Sequence, residues 1–291
     1  MIDPATKAAF SALVATMREK IPDPTTLPDF GFDAEFLNKT APVLEFLWSK
    51  YFRIRLTGME NVPAEGAALL VANHSGGLPY DGAMLIHATH RYHPAARPLR
   101  PLVANFAFQS SWMRPVVARI GGVRASMQNA LALCKSGQLI GVFPEGLRGV
   151  GKLYRERYRL THFGRGGFVR LARLARVPII PVAIVGAEET HPVLAKLTRL
   201  AAPLGLPYIP ITPTFPLLGP LGLLPVPTKW SIKIGAPIMF PPAGPKQEGS
   251  QDGSKEGASK EENLEMAEMV RSKLDHMIAE LLAARRSVLF G

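Results

Sequence analysis

Between residues 5 and 20, apolar side chains recur at helical spacing, with Phe10, Leu13, Val14 and Met17 on one face. A second such stretch, "PVLEFLWSKYF" from Pro42, follows Thr40 as a start signal. Both are predicted as amphipathic helices. The second carries Phe46, Trp48, Tyr51 and Phe52, rings that suit a membrane interface and a packed core equally well. From Arg53 the period shortens. The runs "FRIRLTG", "AALLVAN", "RPLVAN", "QLIGVFPEG", "VPIIPVAIVG" and "KWSIKIG" read as strands, and segments near 82–92, 126–136, 164–176 and 189–200 read as helices. Strands this apolar belong in a sheet covered on both faces. The expected fold is therefore α/β: a central, largely parallel or mixed sheet flanked by helices, with N-terminal amphipathic helices and a C-terminal helix.

Toward the C-terminus, "AGPKQEGSQDGSKEGASKEEN" holds few apolar residues, so ordering it would bury too little surface to offset the entropy lost. Residues 243–262 are expected to form a disordered linker. Ser259 and Glu262 have capping-box spacing, and Ala267, Val270, Leu274, Met277, Ile278, Leu281 and Leu282 then form one stripe, predicting a docked helix over 263–291. The remaining boundaries fall at 1–52 for the N-terminal helical region and 53–242 for the α/β domain.

At 291 residues and 47% hydrophobic content the chain can bury a full core. Its single cysteine, Cys134, excludes an internal disulfide framework and suits a reducing compartment, where a buried structural thiol is expected. The first twenty residues lack the basic start and long apolar stretch of a secretory signal. The charge-free run from Leu200 to Thr228 contains eight prolines and cannot form a continuous spanning helix. It suits a bilayer surface or the wall of an acyl pocket.

The formal charge of +11 is concentrated between Arg148 and Arg176, where nine Lys or Arg face one acid, Glu156. Such a field suits phosphate-bearing ligands, an anionic membrane or nucleic acid, although no nucleic-acid recognition motif is present. "GLRGVGKL" has the Gly146, Gly151, Lys152 spacing of a phosphate loop, but Leu153 stands where a magnesium-binding hydroxyl belongs. A nucleotide-hydrolysing role is not expected, and the turn's amides suit an anion. His87, His90 and His93 drift about 60° per step on a helix, so no metal site is expected from them.

"VANHSGGLPYDG", residues 71–82, places His74 and Asp81 on a Gly- and Pro-containing loop just past a strand end, where α/β sheets hold ligands. A loop can double back and bring the carboxylate to the imidazole. A carboxylate fixes the ring's tautomer and leaves the other nitrogen to take a proton from a hydroxyl. No Gly-x-Ser-x-Gly elbow occurs, so that hydroxyl need not be the protein's own.

"NHSGGLPYD", followed about seventy residues later by "FPEGLR" at 143–148 and then by "VPIIPVAI" at 177–184, resembles the glycerolipid acyltransferase superfamily over about residues 53–237. The resemblance implies that His74 is the general base on an acceptor hydroxyl, that Asp81 orients it, and that the thioester of acyl-CoA or acyl-carrier protein is attacked directly, without a cofactor. Glu145, Gly146 and Arg148 would bind the acceptor, Arg148 on a phosphate, with Arg124 and Lys152 added to that set. Three features depart from the family pattern. Six residues separate His74 from Asp81 where four are usual, Leu147 replaces a small hydroxyl residue, and "RIGGVRAS" matches the second block poorly. The expected protein is a peripheral acyltransferase on the cytoplasmic face of an anionic membrane, acting on a glycerolipid. A neutral acceptor and a non-catalytic lipid-binding role are the rivals.

Overall fold

The computed structural model describes residues 3–75, 80–161, 163, 166–201, 208–242 and 253–289, with the backbone alone for Arg148, Pro220 and 253–259. At its centre a seven-stranded sheet has the order β1-β9-β6-β2-β5-β3-β4. The strands are β1 (Arg55–Thr57), β2 (Ala68–Ala72), β3 (Leu99–Val103), β4 (Val123–Arg124), β5 (Leu139–Val142), β6 (Ile179–Val185) and β9 (Ser231–Ile234). A separate hairpin pairs β7 (Ala195–Leu197) with β8 (Ile209–Ile211). Strands β2 to β6 run parallel and β9 is antiparallel to β6. The sheet is thus mixed, and all six expected strands are present.

Both faces of the sheet are covered, which explains the missing alternation. Leu69 and Val71 of β2 join one core with Ile179, Ala183 and Val185 of β6, while Leu70, Ala72, Ile180, Val182 and Ile184 point into the other. The first core is closed by α6 (Met127–Lys135), α8 (Gly167–Ala175) and α9 (Gly253–Ala283). The second is closed by α2 (Ala34–Glu45), a π-type turn Phe46–Tyr51 and α3 (Tyr80–His87). Around these lie α1 (Pro4–Thr16), α4 (Asn105–Gln109), α5 (Met113–Arg119) and α7 (Gly146–Val150).

Several expectations need correction. The second helix starts at Ala34, not Pro42, because Asp33 caps it by accepting from Phe36 N–H at 2.9 Å, while the Thr40 hydroxyl donates back to Phe36 O. Of the rings that follow it, Trp48 and Phe52 are buried, with Phe52 stacked on Trp230 at 4.4 Å, while Phe46 and Tyr51 are half-buried. The helix expected over 189–200 is a 3₁₀ turn, Ala187–Glu189, followed by β7. Pro192 disfavours helical geometry at His191 and lacks a donor itself. The last helix begins at Gly253, inside the expected linker, and Ser259 lies within it; residues 243–252 lie outside the described residues. Glu262 pairs with Arg173 at 2.7 Å instead of capping, which ties this stretch to α8. Cys134 is half-buried, and burial pushes its thiol up to about 11.

Candidate active site

The sheet order makes β2 the switch point. From β2 the chain crosses by α3 to β3 on one side, and from β5 it crosses by α8 to β6 on the other. Parallel strands carry their binding residues past their carboxyl ends at such a point. Asn73 fixes the exit from β2: its amide accepts from Ile184 N–H at 2.8 Å and donates to Ile184 O at 2.9 Å, imitating one more ladder residue. His74 follows directly, its ring against Phe143 at 4.4 Å. Gly76, Gly77, Leu78 and Pro79 of the expected loop lie outside the described residues.

Asp81, in the first turn of α3, meets the ring. Its Oδ2 lies 2.6 Å from His74 Nδ1, with the carboxylate fully buried and the imidazole 12% exposed. Ser75 N–H donates to Oδ2 and Gly82 N–H to Oδ1, each at 2.7 Å. Burial alone pushes the Asp81 carboxyl up, but the His74 charge and hydrogen bond with the two amides outweigh it, and the pKa lies below the usual carboxylate range. An ionised carboxylate only accepts, so Nδ1 donates to it, and in the neutral ring the lone pair is on Nε2. Nε2 has no partner among the described residues.

Glu145 and Lys152, expected among the acceptor-binding residues, lie in one buried cluster. The Glu145 carboxylate accepts from His74 N–H and Thr161 N–H, each at 3.1 Å, and lies 3.0 Å from Lys152 Nζ. Lys152 spends its three donors on Glu145, Glu188 and Arg159 O, at 3.2, 3.1 and 3.2 Å. Both side chains are buried, and these bonds tie them to the backbone of His74, Arg159 and Thr161. They position the backbone of His74. Burial pushes the Glu188 carboxyl up, opposed by Lys152.

Gly146 opens α7 with φ +53°, a left-handed conformation that favours glycine. Arg148 lies on the same short helix, its side chain outside the described part. Arg124 is not brought to His74. It ends β4, three strands from β2 or about 14 Å, where it pairs with Asp23 at 2.9 Å and lies over Phe108. His87, His90 and His93 bond to Glu45, Asn38 and Val62 O respectively, three separate partners.

Sequence reasoning missed Gly149. A Cβ there would lie 2.7 Å from Glu145 Cβ and 2.8 Å from His74 Cβ, so only glycine lets α7 close against the ring. Its φ is ordinary, so no turn signal marks it. Asn73, by contrast, had a signal as a polar residue ending an apolar strand.

The acyltransferase family profile matches residues 53–185, spanning His74, Asp81 and Glu145. A protein of Mycobacterium tuberculosis without an assigned function is 40% identical over 97% of this chain and 76% of its own length, and one of Mycobacterium leprae is 40% identical over 97% and 74%. The chain belongs to the glycerolipid acyltransferase superfamily. A probable 1-acyl-sn-glycerol-3-phosphate acyltransferase of Mycoplasma pneumoniae is 29% identical, over 49% of this chain and 53% of that one. The crystal structure of the 1-acyl-sn-glycerophosphate acyltransferase PlsC from Thermotoga maritima superposes with a TM-score of 0.49 at 16% identity, covering 95% of this chain and 90% of that one. The family implies an acyl donor and a lipid acceptor, and the His74–Asp81 pair lies within the matched domain.

Proposed function

We propose that the protein moves a fatty acyl group from acyl-CoA or acyl-carrier protein to the free hydroxyl of a lysoglycerophospholipid. The observation that carries this reading is the 2.6 Å contact between His74 Nδ1 and the buried Asp81 carboxylate, which leaves Nε2 unpartnered among the described residues. The acceptor hydroxyl gives its proton to Nε2 as its oxygen attacks the thioester carbonyl carbon. The tetrahedral adduct collapses with cleavage of the C–S bond, and the imidazolium returns the proton to the departing sulfur. An ester and a free thiol result, and the ring ends as it began.

A positioned base of this kind contributes about 10²- to 10⁴-fold. His74→Ala should therefore lower acyl transfer by at least about a hundredfold, measured by mass spectrometry with labelled acyl-CoA and candidate acceptors. His74→Gln, whose amide keeps a donor toward Asp81, guards against loss through misfolding. Near-normal turnover by either variant removes the assignment.

A neutral acceptor, diacylglycerol or a long-chain alcohol, is the second reading. It is favoured by a human relative named as a DGAT1/2-independent enzyme synthesizing storage lipids, 26% identical over 49% of this chain and 42% of that one. Arg148→Ala separates the two, because a phosphate-bearing acceptor should lose binding strongly and a neutral one should not. We place the reaction at the cytoplasmic face of a membrane, with peripheral attachment supported by the formal charge of +11. Among the described residues no helix is long and apolar enough to cross a bilayer.

A further inference from the structure

The strand that lies beside β2, β6, ends at the same edge of the sheet as His74. The chain then makes a long excursion before returning in β9, which starts from that edge because it is antiparallel to β6. Among the described residues the four most exposed large apolar side chains fall within this excursion. Leu217 is 84% exposed, Leu221 70%, Leu200 64%, Leu224 62%, Leu194 55% and Leu218 54%. Eight of the eighteen large apolar side chains exposed among the described residues fall between Leu194 and Leu224. Solvated leucines on one short segment mark a surface that is covered in use.

The leucine turn is built, not frayed. Thr214 Oγ1 donates to Gly222 O at 2.9 Å, Leu218 N–H donates to Thr214 O at 2.8 Å, and Val226 N–H donates to Thr190 O at 2.8 Å. It is also joined to the catalytic pair from two sides. His191 Nε2 donates to Leu223 O at 2.9 Å and its ring stacks on Tyr80 at 5.7 Å, next to Asp81. On the other side, α7 touches His74 through Gly149 and meets the β7–β8 hairpin through Tyr208, whose hydroxyl donates to Val150 O at 2.8 Å.

Charge selects the occupant. No Asp or Glu occurs between Glu189 and Glu248, while Lys196, Arg199 and Lys229 do. Exposed leucines with cations and no acids fit the interface of an anionic bilayer, where apolar groups enter the acyl boundary and Lys or Arg meet phosphates. We propose that this leucine turn and its hairpin are the surface by which the protein docks on anionic phospholipid, opening the His74 site directly onto the bilayer. The choice of a bilayer over a protein partner rests on the acyl-transfer reading above. Trp48 and Phe52 do not compete for this role, since they are consumed in the core.

The test reads vesicle binding without turnover. Leu217→Ser/Leu218→Ser/Leu221→Ser/Leu224→Ser should lower partitioning onto phosphatidylglycerol vesicles by at least about tenfold, with an unchanged circular dichroism spectrum. Lys196→Glu/Arg199→Glu should abolish the preference for phosphatidylglycerol over phosphatidylcholine. An environment-sensitive fluorophore on Leu221→Cys, in a Cys134→Ser background, should shift to the blue when vesicles are added. Undiminished flotation of the serine variant, a silent Leu221 probe on bound protein, or a retained lipid preference overturns the proposal. So does a serine variant that floats normally but changes its sedimentation mass, which assigns the face to a second copy. A protein that docks by this turn yet transfers no acyl group sinks the functional reading and leaves the docking surface standing.

Discussion

At the residue scale the arrangement depends on Asp81 being an anion in a place that disfavours anions. Three donors, His74 Nδ1, Ser75 N–H and Gly82 N–H, hold it ionised. In Asp81→Asn the side-chain amide can present N–H to Nδ1, favouring the tautomer whose lone pair faces the wrong way. Acyl transfer is predicted to fall by about 10²- to 10⁴-fold. The same depressed pKa has a stability consequence. Its contribution is fully present above the unfolded carboxyl value, about 3.9, and is lost as pH falls through the lower folded value. Urea unfolding across an acid series should show the wild-type advantage over Asp81→Asn shrinking in acid; a constant difference refutes the assignment of that charge. Gly149 yields a second prediction. The clash of an added Cβ is with two other Cβ atoms, neither a flexible tip, so Gly149→Ala must shift α7 or His74. Misplacement of a base by a fraction of an ångström should cost about ten- to a hundredfold in kcat, with the unfolding midpoint changed far less.

At the element scale, the strands were legible because burial on both faces makes them uninterrupted apolar runs, as in β2 and β6. The short edges were not. β4 has two residues, too few to establish a period, and β7 has all its residues exposed. His74 and Asp81 were legible as a pair because glycine and proline between them signal a loop. The buried pairing of Glu145 and Lys152 was not, since a motif records which residues lie near a site without recording what they bond to. The rings that follow α2 left the choice open for a related reason: they keep helical spacing whether they meet lipid or core. The C-terminal stripe was read correctly as a docking face, and it supports a prediction. Leu274 is fully buried between α9 and the sheet. Leu274→Ala should lower unfolding free energy by about 2–5 kcal/mol, with little change in kcat for the folded fraction. A loss below about 1 kcal/mol would mean that α9 is not part of the cooperative core.

At the scale of the whole molecule, the excess positive charge is not all available to ligands. Arg173 is withdrawn inside, pairing with Glu262 and donating to Pro241 O and Asn263. Arg155 and Arg159 remain exposed, on the segment whose Arg159 carbonyl and Thr161 amide complete the cluster beneath His74. These two arginines leave positive charge on the surface of that segment, while the catalytic pair itself is largely buried. Salt should act on the approach of the acceptor and leave the chemistry alone. Raising ionic strength from 0.01 to 0.15 M shortens the screening length from about 30 to about 8 Å. For a monomeric phosphate-bearing acceptor kcat/KM should then fall by about tenfold with kcat unchanged, whereas for a neutral acceptor neither should move. Arg155→Gln/Arg159→Gln should flatten the dependence for the anionic acceptor. If the double variant keeps the wild-type salt profile, the steering comes from elsewhere on the surface and these two arginines serve solubility alone.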